Sequence, residues 1–187
     1  PLSYMIERSK KRGIIFLELA LLVPFAIPAA TLGIGLIKVW NRPWIDWIYT
    51  SPLIIILGYV AHFIPFSARA TSSGIKQIDP HVEEMAYLST EKWTRVMRKI
   101  VLPLSSPSLV AGFFIAFVLS FGELGSTLLV IPPGQETIPI KIYNLMHYGA
   151  DQMVAALCLI LIGIMLLFST VFLLCYKVLS RGLNVSG

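Results

Sequence analysis

Glu123 is the single charged residue in the apolar run from Ser106 to Ile131, and Gly122, Gly125, Ser120 and Ser126 surround it. A carboxylate at hydrocarbon depth costs at least ~2.5 kcal/mol if it faces lipid, so it must face another helix or a watery path. Gly122, Glu123, Gly125 and Ser126 are therefore candidates for lining a translocation path. A structural hydrogen bond across the small residues accounts for them equally well. Glu18 stands alone in another apolar run, nearer that run's end, and reads as structural or interfacial. His62, His81 and His147 are scattered and show no ligand spacing. Cys158 and Cys175 share one apolar run without a CxxC or Cys/His pattern, so they read as small buried hydrophobes. No metal site is expected. No GxxxxGKS/T phosphate loop, HExxH or GxSxG motif occurs, so no catalytic set is present and the chain is not its own ATPase.

The elements that must position these residues are membrane helices. Of 187 residues, 56% are hydrophobic and 13% charged, against about 25% charged in soluble domains. The mean hydropathy is +0.78. Disorder, collagen, coiled coil and a soluble nucleic-acid-binding domain are excluded. Four windows are long enough to cross a ~30 Å hydrocarbon core: 14–36, 51–68, 106–131 and 153–176. The expected fold is all-α, a polytopic transmembrane helix bundle of four spans in contact with membrane lipid. Pro24, Pro28 and Pro65 fall inside these windows and need neighbouring groups to satisfy the carbonyls they free.

Charge placement sets the expected orientation. Arg8, Lys10, Lys11, Arg12, Arg69, Lys76, Lys92, Arg95, Arg98, Lys99, Lys177 and Arg181 fall on one side of the spans, and only Lys38, Arg42 and Lys141 on the other. The first side is then cytoplasmic, with both ends of the chain on it. The net charge of +5 belongs to this asymmetry, and no nucleic-acid partner is expected. Lys10-Lys11-Arg12 before an apolar run, with Ala29 and Ala30 beyond, has the outline of a secretory signal. Glu18 and the length of the run argue against one. Trp40, Trp44, Trp47 and Tyr49 mark a lipid–water interface.

The stretch 71–105 is the sizeable cytoplasmic segment. Asp79 and Pro80 predict a helix start, Glu83 and Glu84 fall in its first turn, and Lys92 to Lys99 follow in later turns. Met85, Leu88, Trp93, Val96 and Ile100 form a broken apolar stripe that must pack on the bundle or on another protein. Within it, Glu84-Met85-Ala86, Thr90, Ile100, Leu102 and Pro103 stand at the spacing of the "EAA…G…I-LP" loop. The chain in this respect resembles the inner-membrane permeases of ABC importers, the binding-protein-dependent, MetI-like family. Met85 replaces an alanine, and Thr90 stands at the family's glycine. Counting from Leu88 and Trp93 instead puts Ser89 there. A left-handed backbone would cost Thr90 more than glycine.

The resemblance runs through "LLVPFAIPAATLGIGL", "GIKQIDPHVEEMAYLS" and "SFGELGSTLLVIPPGQETIPIKIYNLMHYGADQMVAAL" to the closing helix. It is to the C-terminal half of ferric-iron permeases, whose relatives handle thiamine, 2-aminoethylphosphonate, polyamines, sulfate or molybdate. Such permeases often fuse two halves, which implies a chain that begins mid-protein, with at least one earlier helix in this half. The resemblance implies a multi-pass inner-membrane subunit paired with a second permease half or copy. An ABC ATPase subunit would dock at Glu83, Glu84, Ala86, Ser89, Thr90, Trp93, Ile100, Leu102 and Pro103. ATP and Mg would sit on that partner, with no cofactor in this chain. A substrate-binding protein would dock at Pro133, Gly134, Thr137 and Tyr148, and ferric iron is the first expected substrate. The competing class is a secondary transporter or channel fragment using Glu123 as an ion or proton site.

Overall fold

The computed structural model of the chain describes residues 2–9, 13–90, 92–149 and 151–184, without the side chains at 89, 90 and 178–184. Among these residues the structure is helix and turn with no strand, so the all-α expectation holds. In chain order the helices are α1 (Leu2–Arg8), α2 (Ile14–Ala26), α3 (Ala29–Trp40), α4 (Asp46–Tyr49), α5 (Leu53–Lys76), α6 (Pro80–Thr90) and α7 (Trp93–Val96). A π-helical turn (Met97–Val101) leads into α8 (Leu102–Phe121), followed by α9 (Thr127–Val130), α10 (Ile138–Tyr148) and α11 (Asp151–Asn184). Among the described residues three stretches are long and apolar enough to cross a membrane, Leu53–Lys76, Trp93–Phe121 and Asp151–Lys177, or four if the bent pair α2 and α3 is one span.

The prolines act unequally. The window 14–36 is not one straight span. It is two helices, α2 and α3, bent by 104°. The corner is Pro28, whose extended backbone (φ −54°, ψ 137°) precedes α3. A proline disfavours helical backbone in the residue before it, and Ile27 is where α2 has run out. Pro24 and Pro65 stay inside α2 and α5. Pro103 and Pro107 lie within a continuous helix from Trp93 to Phe121. Pro107 removes the N–H that Pro103 O would accept, and the Ser106 hydroxyl donates to that oxygen at 2.7 Å instead. Ser105 donates to Val101 O at 2.7 Å beside it. The π turn absorbs the misfit before Pro103, a usual place for such a widening.

The third span also ends earlier than expected. Helix stops at Phe121, and Gly122 to Ser126 form a break before the short α9. Further on, Pro132 to Gln135 make a turn closed by Gln135 N–H to Pro132 O at 3.2 Å. Gly134 takes φ +79° there, the left-handed conformation this turn requires of its third residue.

The chain divides into two compact units. One comprises 1–21, 65–115 and 171–187; the other comprises 22–64 and 116–170. In the first, Ile78, Ala86, Val96 and Val101 form a buried cluster packed by Tyr4, Tyr87, Met97 and Ile100. Its α5 and α8 segments meet at small residues. A β-carbon on Gly74 would lie 2.4 Å from Ser108 Cβ, and one on Gly112 would lie 2.9 Å from the Ser67 carbonyl oxygen. Phe114 stacks on Phe172 at 3.9 Å. In the second unit, Leu36, Ile54, Ile55 and Val130 are buried together, and Phe117 packs edge-on against Phe168 at 4.9 Å. Leucines and phenylalanines lie outward in number, Cys158 is half-buried and Cys175 exposed. The expectation of two buried cysteines is thus corrected, because α11 turns most of its length away from the chain.

Close helix approach through small residues is the main packing device in an apolar medium. Gly112→Leu should therefore lower the thermal midpoint of the purified protein in detergent, at an overpacking cost of ~1–3 kcal/mol. Gly163→Leu, where an added β-carbon meets nothing within 4 Å, should leave the midpoint unchanged. Equal midpoints for both variants would refute the close-packed crossing.

Candidate functional site

The segment from Asp79 to Val101 is built as a helix pair with two unlike faces. Asp79 Oδ1 accepts the His81 N–H at 2.9 Å and Pro80 opens the helix, so α6 starts as the Asp-Pro order predicts. Glu83 and Ala86, three apart and hence on one face, point inward and are 5% and 7% exposed. Val82, Met85 and Leu88 lie on the opposite face, with Leu88 88% exposed. Glu84 is outward too and pairs with His81 at 3.2 Å. Trp93 is half exposed, its ring edge-on to Tyr4 at 6.4 Å. Ile100 packs on the buried cluster, whereas Leu102 and Pro103 are exposed. Ser89 and Thr90 are within α6, but their side chains lie outside the described residues.

Glu83 and Ala86, expected at the docking surface, are instead buried within the chain. Glu83 meets Arg8, whose Nη2 lies 2.7 Å from its Oε1, and Tyr4, whose hydroxyl donates to its Oε2 at 2.8 Å. Burial, and then this bond to a carboxylate, push the Tyr4 phenol up and keep it protonated. Breaking a buried pair by removing one partner typically costs about 3–5 kcal/mol. Reasoning from the sequence missed Arg8 and Tyr4, counting Arg8 only as a topogenic charge. The one signal available was a short run, "SYMIER", with both charge signs just ahead of the first apolar helix.

Glu123 is placed differently from the expectation of a residue inside the third span. It follows the end of α8 and folds back on the N-terminus of α9. Its Oε1 accepts the Ser126 N–H at 2.8 Å and its Oε2 the Thr127 N–H at 3.2 Å. The Thr127 hydroxyl also donates to Oε2, and Tyr59 Oη of α5 lies 3.2 Å from that hydroxyl oxygen. Backbone N–H groups at a helix start lack partners within the helix, and a carboxylate there is further favoured by the dipole. The buried carboxylate is thereby satisfied without a second ion. Gly125 belongs to the same construction: a β-carbon on it would lie 2.8 Å from Ala29 Cβ. Gly122 and Gly125 are exposed and Ser126 is buried.

In the stretch 132–148, Pro133 and Gly134 are exposed at the turn and Tyr148 is 93% exposed at the end of α10. Thr137 is half-buried at the start of α10. Lys141 and Glu136 pair at 2.8 Å, and that lysine's hydrogen bond is the main cause holding the Glu136 carboxyl below its ordinary value.

Apolar spanning helices and a tight helix pair with an outward apolar edge define a multi-pass membrane protein. The chain belongs to the binding-protein-dependent transport system inner membrane component family, whose sequence profile matches residues 1–185. The putative 2-aminoethylphosphonate transport system permease protein PhnV of Salmonella paratyphi A is 33% identical over 156 residues, covering 81% of this chain and 57% of that protein. The spermidine/putrescine transport system permease protein PotC of Escherichia coli K12 is 28% identical over 177 residues, 94% of this chain and 64% of that protein. The chain thus spans less than two thirds of the curated relatives it matches. A solved structure of the MetNI methionine ABC transporter, in an inward facing conformation, shares the fold with a TM-score of 0.77. It covers 96% of this chain and 84% of that one at 15% identity.

If Glu123 caps α9, its oxygens matter more than its charge. Glu123→Gln retains one acceptor and should be mild. Glu123→Leu strands two buried N–H groups at ~1–3 kcal/mol each and should lower the detergent thermal midpoint clearly. A Leu variant as stable as the parent would refute the cap.

Proposed function

We propose that this protein is a permease subunit of an ATP-driven ABC importer in the inner membrane, carrying a small solute handed over by a binding protein. It is not an enzyme by itself. ATP and Mg act on a separate ATPase subunit, and the translocation path forms between this chain and a second permease half or copy. The observation that carries the reading is the two-faced α6: its inner face is fastened inside the chain while Val82, Met85 and Leu88 are turned out, as Trp93 is in α7. An apolar helix edge on a rigid backing is the form a groove on a partner subunit takes up. Glu84, Leu102 and Pro103 are exposed as well, and family membership supports an ATPase as the partner.

The orientation follows from charge. Twelve basic residues fall on one side of the spans and Lys38, Arg42 and Lys141 on the other; the first side, with both ends of the chain, is then cytoplasmic. The stretch 132–148, with Pro133, Gly134 and Tyr148 exposed, faces the binding protein. Glu123, Gly122, Gly125 and Ser126 act on the path by fixing the shape of the break between α8 and α9. Among substrates, 2-aminoethylphosphonate takes precedence over ferric iron, because relatives at 33% identity bear that name.

Two experiments test this. Leu88→Asp should weaken co-purification of the ATPase by about 2 kcal/mol or more, the scale of an interface hot spot, and abolish uptake while the permease remains inserted. Ala86→Arg, at a buried position, should instead lower the amount of permease itself. An ATPase-bound, active Leu88→Asp importer would overturn the docking reading. For orientation, a cysteine at Gln135 should react with an impermeant thiol reagent in intact cells, and one at Lys92 should not; labelling at Lys92 would reverse the topology.

A further inference from the structure

Arg8 is the point at which three elements of the first unit are joined. Its Nε donates to Glu83 Oε1 at 2.9 Å. Its Nη2 donates to Ile78 O at 2.7 Å and reaches Ile75 O at 3.3 Å. Those carbonyls belong to the last turn of α5 and to the three-residue link, 77–79, that leads into α6. Carbonyls at a helix C-terminus lack partners within the helix and sit at its negative end, so a guanidinium satisfies them and the carboxylate together. One side chain thus closes the corner between a spanning helix and the helix proposed to meet the ATPase.

Arg8 is itself well anchored. Ser3 donates to Ala68 O at 3.2 Å, Ser72 donates to Glu7, and Lys76 Nζ lies 3.6 Å from Glu7. Contacts at 3 and 7 on one helix and 68, 72 and 76 on the other advance by four residues each, so α1 runs parallel along the end of α5. Tyr4 takes the second oxygen of Glu83 and touches Trp93. Both oxygens of a buried carboxylate on α6 are therefore held from α1, and α6 cannot turn or shift against α5 without stranding a desolvated charge.

We infer that Arg8 is a positioning residue for coupling: through Glu83 it makes α1, the end of α5 and α6 one mechanical body, so that displacement of α6 is delivered to α5. The inference rests on the reading of α6 as the ATPase-facing helix and adds a residue outside the coupling loop. It separates binding of the ATPase, which the outer face of α6 performs, from transmission, which the inner face performs.

The test uses the full-length permease in its assembled importer, reconstituted in liposomes with ATPase and binding protein. Arg8→Gln should leave ATPase stoichiometry unchanged while transport per ATP hydrolysed falls roughly tenfold, within the usual range of coupling between sites. Arg8→Lys keeps a charge beside Glu83 but cannot serve both carbonyls at once, and should restore part of that ratio. Should Arg8→Gln not assemble, Arg8→Lys carries the test, and its ratio must fall at unchanged stoichiometry. An unchanged ratio in the assembled variants, or transport that falls only in step with the amount of complex, would overturn the inference. Leu88→Asp run in parallel distinguishes the two claims: if it keeps its ATPase, the docking reading fails whatever Arg8 does.

Discussion

Backbone groups surrounded by hydrocarbon must find their partners inside the chain, because no water is present to supply them. This constraint explains the features of the fold that look irregular. Each proline removes an N–H and frees a carbonyl; at Pro107 the Ser106 hydroxyl takes up the freed Pro103 O and the helix continues. At Pro28, where the preceding residue ends α2, the chain turns by 104°. The break after Phe121 obeys the same rule. Glu123 supplies the acceptors that the first N–H groups of α9 would otherwise lack.

A second consequence is an inversion of the usual soluble pattern. The buried set contains Ser3, Ser72, Glu83, Ser105, Glu123, Ser126 and Thr127, while many leucines and phenylalanines are exposed. Apolar side chains gain nothing by leaving lipid for protein, so association relies on small residues, polar bonds and close fit. Gly74 against Ser108 and Gly112 against Ser67 are the fit. The Glu123–Thr127 group is such a polar bond, with both carboxylate oxygens engaged.

Polar clusters lock particular helices together, and the apolar surfaces left outward are free to slide in lipid or to meet another chain. On α6 the two properties occur back to back, since residues three apart share a face and their neighbours take the other. The helix thereby offers an edge to a partner without loosening its hold on the body behind it.

The membrane class, the all-α fold and the Asp79-Pro80 helix start were legible in the sequence, because apolar run length and capping chemistry are properties of consecutive residues. The same applies to Met153–Tyr176, an uninterrupted apolar stretch that lies inside α11. Which proline would bend its helix was not legible: Pro24 and Pro65 stay within helices, whereas at Pro28 the chain turns. Nor was the inward face of α6: Glu83 and Ala86 read as surface from their motif, and only packing against Tyr4, Val96 and Val101 turned them in. Arg8 and Glu83 stand 75 residues apart, and Glu123 reaches Tyr59 through a hydroxyl 68 residues from it in the chain. A sequence records the order of chemical groups and thus the local helices. Which groups share a face or a bond is decided when those helices pack.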